Sequence, residues 1–69
     1  MVEVFKTDVA KRIEAKSLVR FLMQYFPDSK INVDLDDCDK VLRVEGNNFH
    51  AEKIIVLVQE KGFKCKVLE

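Results

Sequence analysis

At 69 residues and 8.0 kDa the chain has the length of one small domain, and a domain near this size hides only roughly 60% of the surface its unfolded chain exposes, so its core must be small and densely used. Twelve basic side chains balance twelve acidic ones, with a pI near 6.6, which leaves no overall field to hold a polyanion. Two cysteines, Cys38 and Cys65, neither in a CxxC pair, argue against a disulfide framework or a zinc finger, while Leu, Ile, Val and Phe supply 25 of the 69 residues, enough to argue against disorder.

In chain order, Val2 to Asp8 carries apolar residues close to strand period, and the Asp8 carboxylate is placed to cap a following helix. From Ala10 to Phe26 the period becomes helical: Ala15, Leu18, Val19, Leu22 and Phe26 fall on one stripe, with Met23 and Tyr25 on its flanks and Lys16, Arg20 and Gln24 opposite. Pro27 ends this helix, because it lacks the backbone donor and crowds the residue before it. Ile31, Val33 and Leu35 alternate with Lys30, Asn32 and Asp34, a half-buried strand. Asp36 to Asp39 forms a polar turn, and Lys40 to Glu45 alternates again with Leu42 and Val44 inward. Gly46, Asn47 and Asn48 break that strand and offer a cap to a second helix, in which Ala51, Ile54, Ile55 and Val58 share a face. Gly62 is its expected stop. Phe63, Cys65 and Val67 form the inward side of a last strand.

The order is β-α-β-β-α-β. Each helix joins two parallel strands by a right-handed crossover, and the Asp-rich turn makes the middle strands an antiparallel hairpin. Both helices then cover one face of a four-stranded antiparallel sheet, a ferredoxin-like α+β domain spanning residues 1–69. The expected strand order across the sheet is fourth, first, third, second.

Several runs resemble the heavy-metal-associated domains of copper chaperones and metal-pumping ATPases. They are Ile31-Asn32-Val33-Asp34-Leu35, Val41-Leu42-Arg43-Val44-Glu45-Gly46, the helix from Ala51, and the ending Lys61-Gly62-Phe63-Lys64-Cys65-Lys66-Val67. Leu22 to Pro27 is similar to that family's helix-to-turn segment, and the likeness covers nearly the whole chain. It implies the same fold. The family binds Cu(I) or a similar soft ion through two thiolates of a CxxC loop after the first strand, because soft ligands select soft metals. Aligning the inward residues Phe5, Thr7 and Val9 with that strand puts Lys11 and Glu14 where the thiols belong. A shift of one residue puts Arg12 and Ala15 there. Neither frame has a thiol, so the resemblance implies the form of the family without its soft-metal site.

Candidate chemistry is sparse. Cys65 lies on the inward side of the last strand and reads as a small buried hydrophobe. Cys38 sits in the turn with Asp36, Asp37 and Asp39, the densest charge in the chain. That turn reads as solvated and acidic, or as a metal site using Cys38 with the nearby aspartates, although calcium-loop spacing is absent. His50, at the start of the second helix near the boundary residues Leu57 and Lys61, reads as a surface residue. Lys11, Arg12, Lys16 and Arg20 form a solvated basic stretch, or a contact for a partner or a phosphate at the helix N-terminus.

No nucleophile-base arrangement and no glycine-rich phosphate loop is present, so the chain does not read as an enzyme and implies no cofactor. RNA-recognition motifs share the element order, but they stack bases on aromatics of the open sheet face, where this chain has Val41, Arg43 and Glu45. No nucleic-acid partner is expected. What is left is that open face. Val4, Val41 and Leu68 make a modest apolar strip beside Arg43, rimmed by charge, and the edge strands are a second route, able to accept another strand. The chain thus reads as a small binding module meeting a protein partner, or itself, through Val4, Val41, Arg43 and Leu68 or through an edge strand. No membrane segment or leader is apparent, and two unpaired thiols point to the cytoplasm.

Overall fold

The structure, a computed structural model, describes residues 1–68. Its elements are β1 (Val2–Thr7), α1 (Arg12–Met23), β2 (Lys30–Asp34), β3 (Val41–Glu45), α2 (Ala51–Glu60) and β4 (Cys65–Val67). The four strands form one sheet in the order β2-β3-β1-β4, and every neighbouring pair is antiparallel. This is the ferredoxin-like α+β arrangement expected from the period changes along the chain. β1 and β3 are central, and β2 and β4 are the two edges.

Burial follows the alternation. Phe5, Val9, Leu18, Leu22, Leu42, Val44, Ile54 and Val58 are fully buried in one cluster between the sheet and the helices. Each such side chain contributes roughly 1.5–3 kcal/mol relative to exposure, an upper estimate because the unfolded chain already hides some area. Both helices bury their faces in that one cluster, so the opposite side of the sheet has no helix over it. Thr7 is the buried polar residue of β1. Its hydroxyl donates to the Lys40 carbonyl and accepts from the Val9 N–H, so the buried oxygen is hydrogen-bonded both as donor and as acceptor.

Several element ends depart from the sequence reading, four of them by two residues or more or by a different cap. Helix α1 begins at Arg12 rather than Ala10, and Asp8 does not cap it. The chain first plunges Val9 into the core, which puts the helix start out of Asp8's reach. The capping carboxylate comes from Glu14, one turn in, accepting from the N–H groups of Lys11 at 3.0 Å and Ala10 at 3.3 Å. Asp8 instead accepts from the Lys64 N–H at 2.7 Å, tying the end of β1 to the start of β4. At the other end regular helix stops at Met23, and turn bonds from Tyr25 and Phe26 to the Leu22 carbonyl carry the chain to Pro27.

The N-cap of α2 is His50, not Asn47 or Asn48, because Phe49 turns inward between them and packs edge-to-face on Phe26. Leu57, expected at a boundary, is only 2% exposed and belongs to the core cluster. Gly62 ends α2 with φ of 92°, a conformation that favours glycine. The last strand starts at Cys65 rather than Phe63, which is held by a bond from its N–H to the Val58 carbonyl.

Candidate functional site

Three regions hold the residues that the sequence singles out. The first is the open side of the sheet. In the observed register Val4 stands opposite Arg43 on β3, and the Leu68 N–H donates to the Val4 carbonyl at 2.9 Å. Val4, Arg43 and Leu68 therefore form one row across three strands. Val41 lies two residues along β3 from Arg43, opposite Asp34 of β2. Val4, Val41 and Leu68 are half-buried by their neighbours, Arg43 is exposed, and Val2 continues the strip at 48% exposure. The expected strip is thus assembled. Its rim is charged: Lys30 faces Glu45 across β2 and β3, while Lys6 faces Lys66 across β1 and β4.

The second region is the acidic turn. One ligand atom each from Asp37, Cys38 and Asp39 lies within 4.8 Å of the others, and Asp36 is not in this group. The reason is local. The Asp34 carboxylate is used at the end of β2, accepting from the Asp36 backbone N–H at 3.0 Å, which holds Asp36 next to the strand and ahead of the turn. The Asp37 carboxylate accepts from the Asp39 N–H at 2.8 Å, and Asp39 pairs with Lys6 at 3.5 Å. Lys40 closes the turn with φ of 47°, its ammonium donating to the Leu35 carbonyl at 2.9 Å. The Thr7 N–H bonds the Asp39 carbonyl at 3.1 Å, which pins the turn to the end of β1. Cys38 is exposed.

The third region is a groove of about 800 Å³ between α1 and the outer edge of β2. Its floor is apolar, from Ala15, Val19 and Met23 on the helix and Ile31, Val33 and Leu35 on the strand side. Arg12, Lys16 and Arg20 stand on its helix rim, one turn apart, and form no ion pair among the described residues. Sequence reasoning named an edge strand as a route for binding but not this groove. The signal was available: Val19 and Met23 widen the apolar stripe of α1 beyond what the fully buried residues Leu18 and Leu22 require.

The remaining candidates lie apart. Cys65 is buried, and desolvation pushes its thiol from 9.0 up to about 11, so it stays protonated and inert at neutral pH. His50 is exposed at the N-cap of α2 with no side-chain cap bond. At the start of α1 the Glu14 carboxylate already accepts from Ala10 and Lys11, placing negative charge where a phosphate beside Lys11 and Arg12 would sit. Among the described residues no helix is long and apolar enough to cross a membrane. No family model, curated protein or solved structure matches this chain at a significant level, so the site is read from its own geometry.

Proposed function

We propose that this chain is a non-enzymatic interaction module, of heavy-metal-associated form without the thiol pair, that meets a protein partner in the cytoplasm through the open side of its sheet. One observation carries the reading: Val4, Leu68 and Arg43 line up across β4, β1 and β3 on the side that no helix covers. An apolar centre with a charged rim is the layout of protein-binding surfaces, in which the centre supplies affinity and the rim supplies orientation. The outward side chains of β3, Val41, Arg43 and Glu45, offer no aromatic platform for bases, which favours a protein over a nucleic acid. Both cysteines are free, which fits a reducing compartment.

The experiment compares proteins retained by the immobilised chain with those retained by a Val4→Asp, Leu68→Asp double variant and by Ile13→Asp. Ile13 is 75% exposed on α1, away from the sheet face. A protein held by the native chain and by Ile13→Asp, and lost with the double variant, supports the reading. A set of captured proteins that the double variant leaves unchanged overturns it.

A second reading, a metal-ion module with non-standard ligands, is favoured by the grouping of Asp37, Cys38 and Asp39. One thiolate with carboxylates suits Zn²⁺ better than Cu(I) or Ca²⁺. Binding would have to displace the Lys6–Asp39 pair and the Asp39 N–H from Asp37. Titration with Zn²⁺, Cu(I) and Ca²⁺ under reducing conditions decides it. Stoichiometric uptake that Cys38→Ser abolishes establishes this reading, and no uptake at micromolar metal retires it.

A further inference from the structure

We propose that the outer edge of β2 pairs with β2 of a second copy of this chain, antiparallel about a two-fold axis through Asn32, giving one eight-stranded sheet. The inference does not depend on the open-face reading, since it uses the edge of the sheet rather than its side.

The starting observation is that the core is unfinished at β2. Inward residues of the central strands, Phe5, Leu42 and Val44, are fully buried, whereas Ile31 and Val33 of β2 point to the same side and are only half-buried. The space beside them is the groove along α1, with an apolar floor and about 800 Å³ in volume. An edge strand also presents a row of backbone donors and acceptors with no partner. The occupant that satisfies both needs is extended, apolar on the side facing α1 and polar on the other, with charges that match those of β2.

β2 itself has that pattern. In an antiparallel pairing centred on Asn32, Ile31 stands opposite Val33 of the second copy, and both enter the groove beside Val19 and Met23. On the open side Lys30 stands opposite Asp34 of the second copy and Asp34 opposite its Lys30, two attractive pairs made by one symmetry operation. A net formal charge of zero leaves no overall repulsion between copies. The basic rims of the two α1 helices do approach each other across the axis, which keeps the association weak and sets the concentration range of the test.

β2 carries few of the devices that block strand addition. It has no proline and no inward charge, and its two charged residues, Lys30 and Asp34, complement each other in the pairing. β4 is the reverse: three residues long, and self-pairing about Cys65 would set Lys64 against Lys66 twice. The second copy is therefore assigned to β2 alone.

Sedimentation equilibrium from about 10 µM to about 1 mM reads the association directly. The expected result is an average mass rising from 8.0 kDa towards twice that value, with concentration-dependent amide shifts confined to β2, Leu35 to Asp36 and the groove side of α1. Lys30 and Asp34 are exposed; Asp34→Lys gives up the bond from the Asp36 N–H and Lys30→Asp sets a like charge opposite Glu45, so amide spectra first verify that each variant keeps the fold. Each variant alone should associate at least tenfold more weakly. An equal mixture of the two should recover the native association, because each strand then supplies the charge that the other has lost. Val4→Asp should leave the association unchanged, which separates this result from the open-face reading. A mass of 8.0 kDa throughout overturns the proposal, as does association that both charge variants retain. So does a groove that takes unrelated extended peptides while the chain itself stays monomeric.

Discussion

The two edges of the sheet are built on opposite plans. β4 has three residues, carries Lys66 and follows directly on Lys64, faces Lys6 with a like charge, and is anchored by the bond from the Lys64 N–H to Asp8. β2 has five residues, alternates half-buried apolar with exposed polar ones, and lies beside a groove whose apolar floor is open to solvent. A short, lysine-rich edge resists strand addition, and a longer apolar-backed one invites it. An edge open to strand addition therefore lies in one half of the molecule and a closed edge in the other, although each half is a β-α-β unit of the same pattern.

The largest expected effect tests whether the halves are independent. Phe5 stands opposite Leu42 on one side and Val67 on the other, so it is shared by the β2-β3 side and the β4 side. Phe5→Ala should lower stability by about 3–5 kcal/mol in urea unfolding, with amide protection lost together in β2 and β4. Protection that survives in one edge alone would break the picture of a single core. Next is a pH effect seated in β4. The Cys65 thiol is raised from 9.0 to about 11 by burial, so the folded state keeps a proton that the unfolded chain releases above pH 9. Stability is unaffected below that pH and falls as pH rises through the window to 11. At pH 10.5 the loss owed to this group is about 2 kcal/mol. Urea midpoints at pH 8 and pH 10.5 should diverge more for the native chain than for Cys65→Ala, and parallel behaviour would contradict it.

Two glycines sharpen the contrast further. Gly46 lies where β3 leaves β2, and a Cβ there would collide with the Ser29 Oγ and come within 3.2 Å of the Ser29 Cβ. Gly46→Ala should cost about 1–2 kcal/mol through overpacking and displace the start of β2. Gly62 has open space around it but φ of +92°, so Gly62→Ala should cost about 1 kcal/mol by backbone strain and disturb the entry to β4. Amide shifts distinguish them: the first set should centre on Ser29 to Ile31, the second on Gly62 to Cys65. The smallest effect is a gain. Lys66→Glu replaces a like-charge pair with an attractive one opposite Lys6 and should stabilise by about 0.2–1 kcal/mol, at the low end because Lys6 already pairs with Asp39. A loss of stability would mean that the lysines of β4 have a structural partner.

The element order, the strand order and most of the core were legible in the residues, because period two and period 3.6 separate cleanly at Asp8, Pro27 and Gly46. Val4, Arg43 and Leu68 were legible as neighbours for the same reason: alternation fixes the face, and topology fixes which strands adjoin. Caps were not. Asp8, Asn47 and Asn48 are all good capping residues, yet Val9 and Phe49 each took one extra residue inward, and the helices began later with Lys11 and His50 at the caps. A local preference worth about 1 kcal/mol yields to burial of an aromatic or branched side chain worth more. The acidic turn shows the same limit, since Asp34 and Asp37 accept from backbone N–H groups, Asp39 pairs with Lys6, and the turn brings only Asp37 and Asp39 together with Cys38.

The amino-acid sequence by itself determined that two helices cover one side of a four-stranded sheet, because the spacing of apolar residues is a local property that any compact arrangement must respect. Only the tertiary structure decided which edge stays open. Whether α1 reaches far enough to cover Ile31 and Val33 depends on where the helix comes to rest over the sheet. That position is set by packing among Phe5, Leu18, Leu22 and Leu42 together, and not by any one segment alone.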